Sequence, residues 1–171
     1  MTLRFILLLL SITISLHSSA NPAPFGFELN RSTISDVEKK YSITVKEKNY
    51  WEGNNYYINI KSVKLAGLSE LLVICNDSDV IQAVIITVDK DKFTEFFSLL
   101  SEKYQFIEKE TPSFGYRKAK FTSGQSIIIM DSPYFSFYMS LIYITNDFYT
   151  KFQNKQREEK ANILKKEKPM L

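Results

Sequence analysis

Phe93, Phe96, Phe97, Leu100 and Tyr104 recur at spacings of three and four residues, and they set the tightest limit on how this chain folds. That spacing lines one face of a helix and makes the face wide and aromatic. Such a helix is stable in water only when a second layer covers its stripe. The neighbouring segments supply that layer. Glu70 to Cys75 and Val80 to Val88 are β-branched and nearly continuous, with the turn cluster Asn76-Asp77-Ser78-Asp79 between them, which predicts a hairpin. Asn54 to Ile60 alternates, with Tyr56, Ile58 and Ile60 on one face and Tyr57 on the other. Gln105 to Lys109, Arg117 to Thr122, Ser126 to Met130 and Phe135 to Thr145 read as further strands, separated by turns at Thr122-Ser123-Gly124-Gln125 and Asp131-Ser132-Pro133. Strands apolar on both faces predict central positions covered on both sides, or a face used by a partner. The expected fold class is α+β, with helices segregated to one face of an antiparallel sheet.

An earlier helix is predicted at Thr33-Ile34-Ser35-Asp36, with Ser32 or Thr33 as N-cap and Ile34, Val37 and Tyr41 on one face. Ser42 to Val45 continues from it as a strand. Asp89 or Asp91 is expected to cap the Phe-rich helix, and Thr145 or Asn146 a last helix anchored by Phe148, Tyr149 and Phe152. The segment Val37 to Glu47 can be laid over Leu100 to Glu110 at an offset of 63, which aligns a Lys-Tyr pair and a Lys-Glu pair. This predicts an internal repeat of two tandem halves, about 25–88 and 89–145, each a helix followed by strands. The two form one domain over 21–150, and residues 146–171 make a C-terminal helix and basic tail.

The N-terminus predicts a destination. Arg4 precedes an apolar run from Phe5 to Leu16, and Ser18-Ser19-Ala20 places small residues where a signal peptidase reads. The chain is expected to be periplasmic or secreted after cleavage near Ala20. Removing the leader takes away Arg4 and leaves 21 basic and 19 acidic side chains, with a net of +4 in residues 151–171 and −2 in residues 21–150. A nucleic-acid binder needs a basic face on its folded part, so nucleic acid is not an expected partner. A single cysteine, Cys75, excludes an internal disulfide, and its place in Leu71-Leu72-Val73-Ile74-Cys75 predicts a buried small hydrophobe. The sole histidine, His17, leaves with the leader. The mature chain therefore has no imidazole for a triad, for zinc or haem, or for acid–base work.

Phe25-Gly26-Phe27-Glu28-Leu29-Asn30-Arg31-Ser32-Thr33-Ile34-Ser35-Asp36-Val37 is similar to the opening of the SmpA/OmlA-type outer-membrane assembly lipoproteins, where an apolar-Gly-apolar-x-Leu-Gly segment precedes a helix start. Asn30 stands where those proteins have Gly, and the lipobox cysteine is missing, so no stable membrane anchor is expected. The tandem helix-plus-strands layout also resembles the β-lactamase inhibitor protein architecture. The resemblance implies an exported module that binds another protein and carries no catalytic residues.

The most site-like stretch is Tyr50-Trp51-Glu52-Gly53-Asn54-Asn55-Tyr56-Tyr57, and Tyr50, Trp51, Tyr56 and Tyr57 are the candidate binding residues. Aromatics around a Gly-Asn-Asn turn are typical interface anchors. Asp77-Ser78-Asp79 and Asp89-Lys90-Asp91 lack the Gly and Glu of a calcium loop and read as a turn and a helix cap. No metal or cofactor is expected. The function expected from these features is a non-enzymatic exported protein-binding module, with an inhibitor or immunity-type protein as its concrete form. An envelope-assembly accessory or scaffold protein, and a histidine-independent enzyme such as a glycan hydrolase, are the alternatives.

Overall fold

The computed structural model describes residues 20–110 and 115–168; the expected leader up to Ser19 and the last three residues of the tail lie outside the described residues. The elements in chain order are α1 (Ile34–Glu38), β1 (Ile43–Lys48), β2 (Asn54–Ile58), β3 (Leu68–Cys75), β4 (Ile81–Asp89), α2 (Phe93–Lys103), β5 (Gln105–Glu110), β6 (Arg117–Ser123), β7 (Ser126–Ser132), β8 (Tyr138–Thr145) and α3 (Asn146–Glu167). All eight strands form one antiparallel sheet in the order β1-β2-β3-β4-β8-β7-β6-β5. Two four-stranded meanders thus meet along β4 and β8, where Ala83 to Asp89 pairs without a break against Ile144 to Tyr138.

The helices start in different ways. At α1 the Asp36 carboxylate accepts from the Thr33 N–H at 3.0 Å and from the Thr33 hydroxyl at 3.1 Å, which ties down the first turn. At α3 the Thr145 hydroxyl accepts from the Phe148 N–H at 3.3 Å, as the sequence predicts. No carboxylate caps α2. Asp89 is still paired with Tyr138 at the end of β4, and the chain reaches α2 through a 3-10 turn at Lys90–Lys92.

Helices α1 and α2 lie on one face of the sheet. Ile34, Val37, Phe93, Phe96 and Leu100 join a core that contains the row Tyr56–Val73–Val84–Tyr143–Ile128–Phe121, direct neighbours across six strands. The Phe97 ring sits 5.7 to 6.4 Å from the rings of Phe93, Phe106 and Phe121. Each fully buried Phe contributes roughly 1.5–3 kcal/mol of transfer free energy. Free Cys75 is buried in the same core. The N-terminal segment is held from Ala20 onward, where the Ala20 carbonyl accepts from the Ser123 hydroxyl at 2.9 Å. The Asn21 side-chain oxygen accepts from the Gln125 N–H at 2.8 Å and the Ser126 hydroxyl at 3.0 Å.

Helix α3 crosses the opposite face. Phe148 packs with Ala83 and Ile144, and Trp51, Ile74, Ile127, Ile142 and Tyr149 surround them. From Gln156 to Lys166 every side chain of α3 is exposed. Several strand boundaries differ from expectation: β1 runs on to Lys48, β3 starts at Leu68 and β7 ends at Ser132, and two further differences have a visible cause. Strand β2 stops at Ile58 because the Asn59 side chain accepts from the Lys61 N–H and starts a 3-10 turn. Strand β8 begins only at Tyr138. Its ladder with β4 ends at Asp89 and its ladder with β7 ends at Asp131, so Phe135 to Phe137 have no strand to pair with.

Candidate functional site: the open sheet face

Three rows of side chains lie on the face that α3 crosses, and the alternation of each strand places them. Ile74, Ala83, Ile144 and Ile127 form the row next to α3. The next row runs through all eight strands as Val45–Tyr57–Leu72–Ile85–Ile142–Ile129–Lys120–Glu108. Six of these residues are apolar or aromatic, and the row ends on the Lys120–Glu108 ion pair at 3.9 Å. At a strand spacing of about 4.8 Å the six span roughly 24 Å. The third row, Glu70–Thr87–Ser140–Asp131–Lys118–Glu110, is polar.

The middle row is only partly roofed. Tyr57, Leu72, Ile85 and Ile142 keep part of their surface in water, and Val45 is exposed. Under the edge of α3 the row deepens into a cleft of about 230 Å³ lined by Trp51, Ile85, Ile129, Ile142, Phe152 and others, with Lys118 and Asp131 on its polar side. One Asp131 carboxylate oxygen is buried without a hydrogen-bond partner. Burial, and then the Asp131 charge, hold the Tyr116 phenol above its usual pKa. An apolar stripe with a charged pair at one end can cover apolar surface on another molecule and fix its register with charges.

The four sequence-predicted residues take different places. Tyr56 is 2% exposed and donates its hydroxyl to Asp79 Oδ1 at 2.6 Å, so it is a core residue and not a contact residue. Trp51 turns inward onto α3, 4.7 Å from the Phe148 ring and 6.1 Å from Phe152, and forms a wall of the cleft. Tyr50 stays exposed beside it, with Lys155 Nζ 2.9 Å from its ring centroid. Tyr57 alone lies in the open row. The hairpin owes its shape to Asn49, whose side-chain oxygen accepts from the N–H groups of Trp51 and Gly53 while its amide donates to Cys75 O at 2.9 Å. Gly53 is required there, because a Cβ would lie 2.0 Å from that same carbonyl. Leu72, Ile85, Ile142 and Ile129 belong to no motif that marks a site in the sequence; the signal for them is the doubly apolar character of β3, β4, β7 and β8.

The Asp77-Ser78-Asp79 segment is a turn. The Asn76 side chain accepts from the N–H groups of Ser78 and Val80 at 3.1 and 2.9 Å. Among the described residues no group of three or more His, Cys, Asp or Glu side chains could hold a metal ion, and no helix is long and apolar enough to cross a membrane. The five best-formed clefts among the described residues, of 230 to 590 Å³, are each lined by at most one carboxylate. The chain matches no family model, no curated protein and no solved structure.

Proposed function

We propose that the chain is an exported, non-enzymatic protein-binding module that uses the open sheet face. The observation that carries this reading is the stripe Val45–Tyr57–Leu72–Ile85–Ile142–Ile129, which runs across six strands and keeps Val45 exposed and Tyr57, Leu72, Ile85 and Ile142 partly exposed. A fold that needed only stability would roof this row, since buried apolar area stabilises at about 25 cal/mol per Å². An inhibitor or immunity-type role is the concrete form of the proposal. A scaffold role in envelope assembly would use the same face. A glycan hydrolase would need two carboxylates about 5–9.5 Å apart in one pocket, and none of the five clefts offers a pair.

The proposal extends to the origin of the fold: the two meanders are copies of one unit. Two irregularities in strand pairing support this. The ladder of β1 with β2 shifts between Ile43 and Val45, and that of β5 with β6 shifts between Phe106 and Glu108. Ile43 and Phe106 are the residues that the offset of 63 superimposes.

The test is a comparison of the wild type with Leu72→Asp and Ile142→Asp variants in capture from an envelope extract, followed by titration against the purified partner. A stoichiometric complex that both variants weaken at least tenfold, with their folds intact, supports the reading. A partner indifferent to both substitutions overturns it.

A further inference from the structure

The turn between β7 and β8 carries Tyr134, Phe135, Ser136 and Phe137, followed by Tyr138 at the start of β8, at the end of the sheet opposite the Trp51 hairpin. Phe135 is 95% exposed and Phe137 87%, the highest values of any large apolar side chain among the described residues. The turn is firmly held. The Lys90 N–H donates to Phe137 O at 2.9 Å, and Lys90 Nζ donates to Tyr134 O at 3.1 Å. The Ser136 N–H donates to Pro133 O at 3.4 Å, and the Tyr138 N–H to Ser136 Oγ at 3.0 Å. The Tyr134 ring lies edge-on to Phe135 at 4.6 Å and rests against Gly115, where a Cβ would come within 2.9 Å of it. The fold thus keeps two phenylalanines in water on a braced, convex tip.

We infer that this tip inserts into the interfacial layer of a lipid membrane. Polarity changes stepwise behind the tip. The Phe135 and Phe137 rings are outermost, and half-exposed Tyr134 and Tyr138 come next. Lys90, Lys92 and Arg117 follow, against Asp89, Asp91 and Glu95, the last paired with Lys92 at 2.8 Å; Arg117 is placed there by a bond from its guanidinium to Lys90 O at 3.0 Å. Acyl boundary, interfacial phenol layer and phosphate layer follow each other in that order in a membrane. A convex tip cannot bury both rings against a flat rigid surface, whereas a fluid layer closes around them. With Lys92 paired to Glu95 the collar is charge-balanced, so the rings supply the attachment. This inference is independent of the reading of the open sheet face.

Flotation of the full chain with phosphatidylcholine vesicles, with and without phosphatidylglycerol, tests it. The wild type is expected to float with both to a similar extent. A Phe135→Ser/Phe137→Ser variant, whose replaced rings touch only the tip itself, should keep the fold and lose partition by roughly tenfold per ring. In a Phe137→Trp variant the added emission should shift to the blue on binding and be quenched by brominated acyl chains, while Trp51 in the wild type, at the opposite end, is unaffected. Absence of flotation at any lipid composition, or equal flotation of the double Ser variant, overturns the inference. So does an unshifted Phe137→Trp emission on vesicles that hold the protein. Loss of a protein complex in the double Ser variant without any vesicle binding assigns the rings to a protein pocket and overturns it too.

Discussion

Asp79 closes the first half of the molecule. It sits at φ 58°, a region that short polar residues tolerate better than bulky ones. Its N–H bonds to Asn76 O at 3.1 Å, and its carbonyl accepts from the Ile34 N–H at 3.0 Å. Its carboxylate accepts from the Tyr56 hydroxyl at 2.6 Å and the Asn54 amide at 3.4 Å. Removing the charge-assisted bond with Tyr56→Phe should cost about 1.5–3 kcal/mol in urea unfolding, with an unchanged denaturant slope. Cys75 lies close by, and burial, reinforced by the Asp79 charge, pushes its thiol up to about 12. It should resist thiol reagents in the native protein at neutral pH and react fully once the chain is unfolded. Asp36 is shifted the other way. Its bond from the Thr33 backbone, then the Lys39 side chain, lower its carboxyl to about 2. A lowered carboxyl stabilises the fold above its ordinary value and loses that contribution as the pH falls. The melting temperature of the wild type should therefore exceed that of Asp36→Asn at pH 6, and the gap should close as the pH falls from about 4 toward 2. Residue identity made some of this legible: the Asn76–Asp79 cluster reads as a turn from composition alone. That Tyr56 and not Tyr57 is the buried neighbour was not legible, since alternation separates the faces of a strand without saying which one the helices cover.

Among the elements, α2 behaves as its spacing predicts, with Phe93, Phe96 and Leu100 buried. Phe96→Ala should cost about 3–5 kcal/mol, read as a lowered denaturation midpoint. Helix α3 divides its work unevenly. Phe148 is 5% exposed against Trp51, whereas every side chain from Gln156 to Lys166 is exposed. Truncation after Gln156 should move the melting temperature by no more than about 2 °C, because exposed helix and surface ion pairs contribute little. Phe148→Ala should destabilise by about 3–5 kcal/mol. The alternation Phe135, Phe137, Met139 reads as a single strand continuous with β8, and only the ends of the neighbouring strands, at Asp89 and Asp131, cut it short. A boundary set by a distant partner leaves no mark in the local pattern. The start of α2 escaped for the same reason: Asp89 has the chemistry of a cap, but pairing with Tyr138 holds it in the ladder.

For the whole molecule the controlling feature is the seam of β4 and β8. The α+β class was legible, because β-branched runs and aromatic helix stripes each have one stable partner layer. The side of the sheet taken by α3 was not, because an amphipathic first turn fits either face. One continuous sheet and a shared core predict one cooperative unfolding transition, with calorimetric and van't Hoff enthalpies equal. The seam also orders events in time. Strand β8 is made last, yet it occupies the middle of the sheet, so neither meander has its inner border satisfied until the final stretch of chain arrives. Throughout synthesis, the hydrogen-bonding rim of Ile81–Asp89 waits unpaired for the last strand of the sheet. The molecule is thus committed to folding after the last strand is released, and any escort it meets on the way must guard that rim.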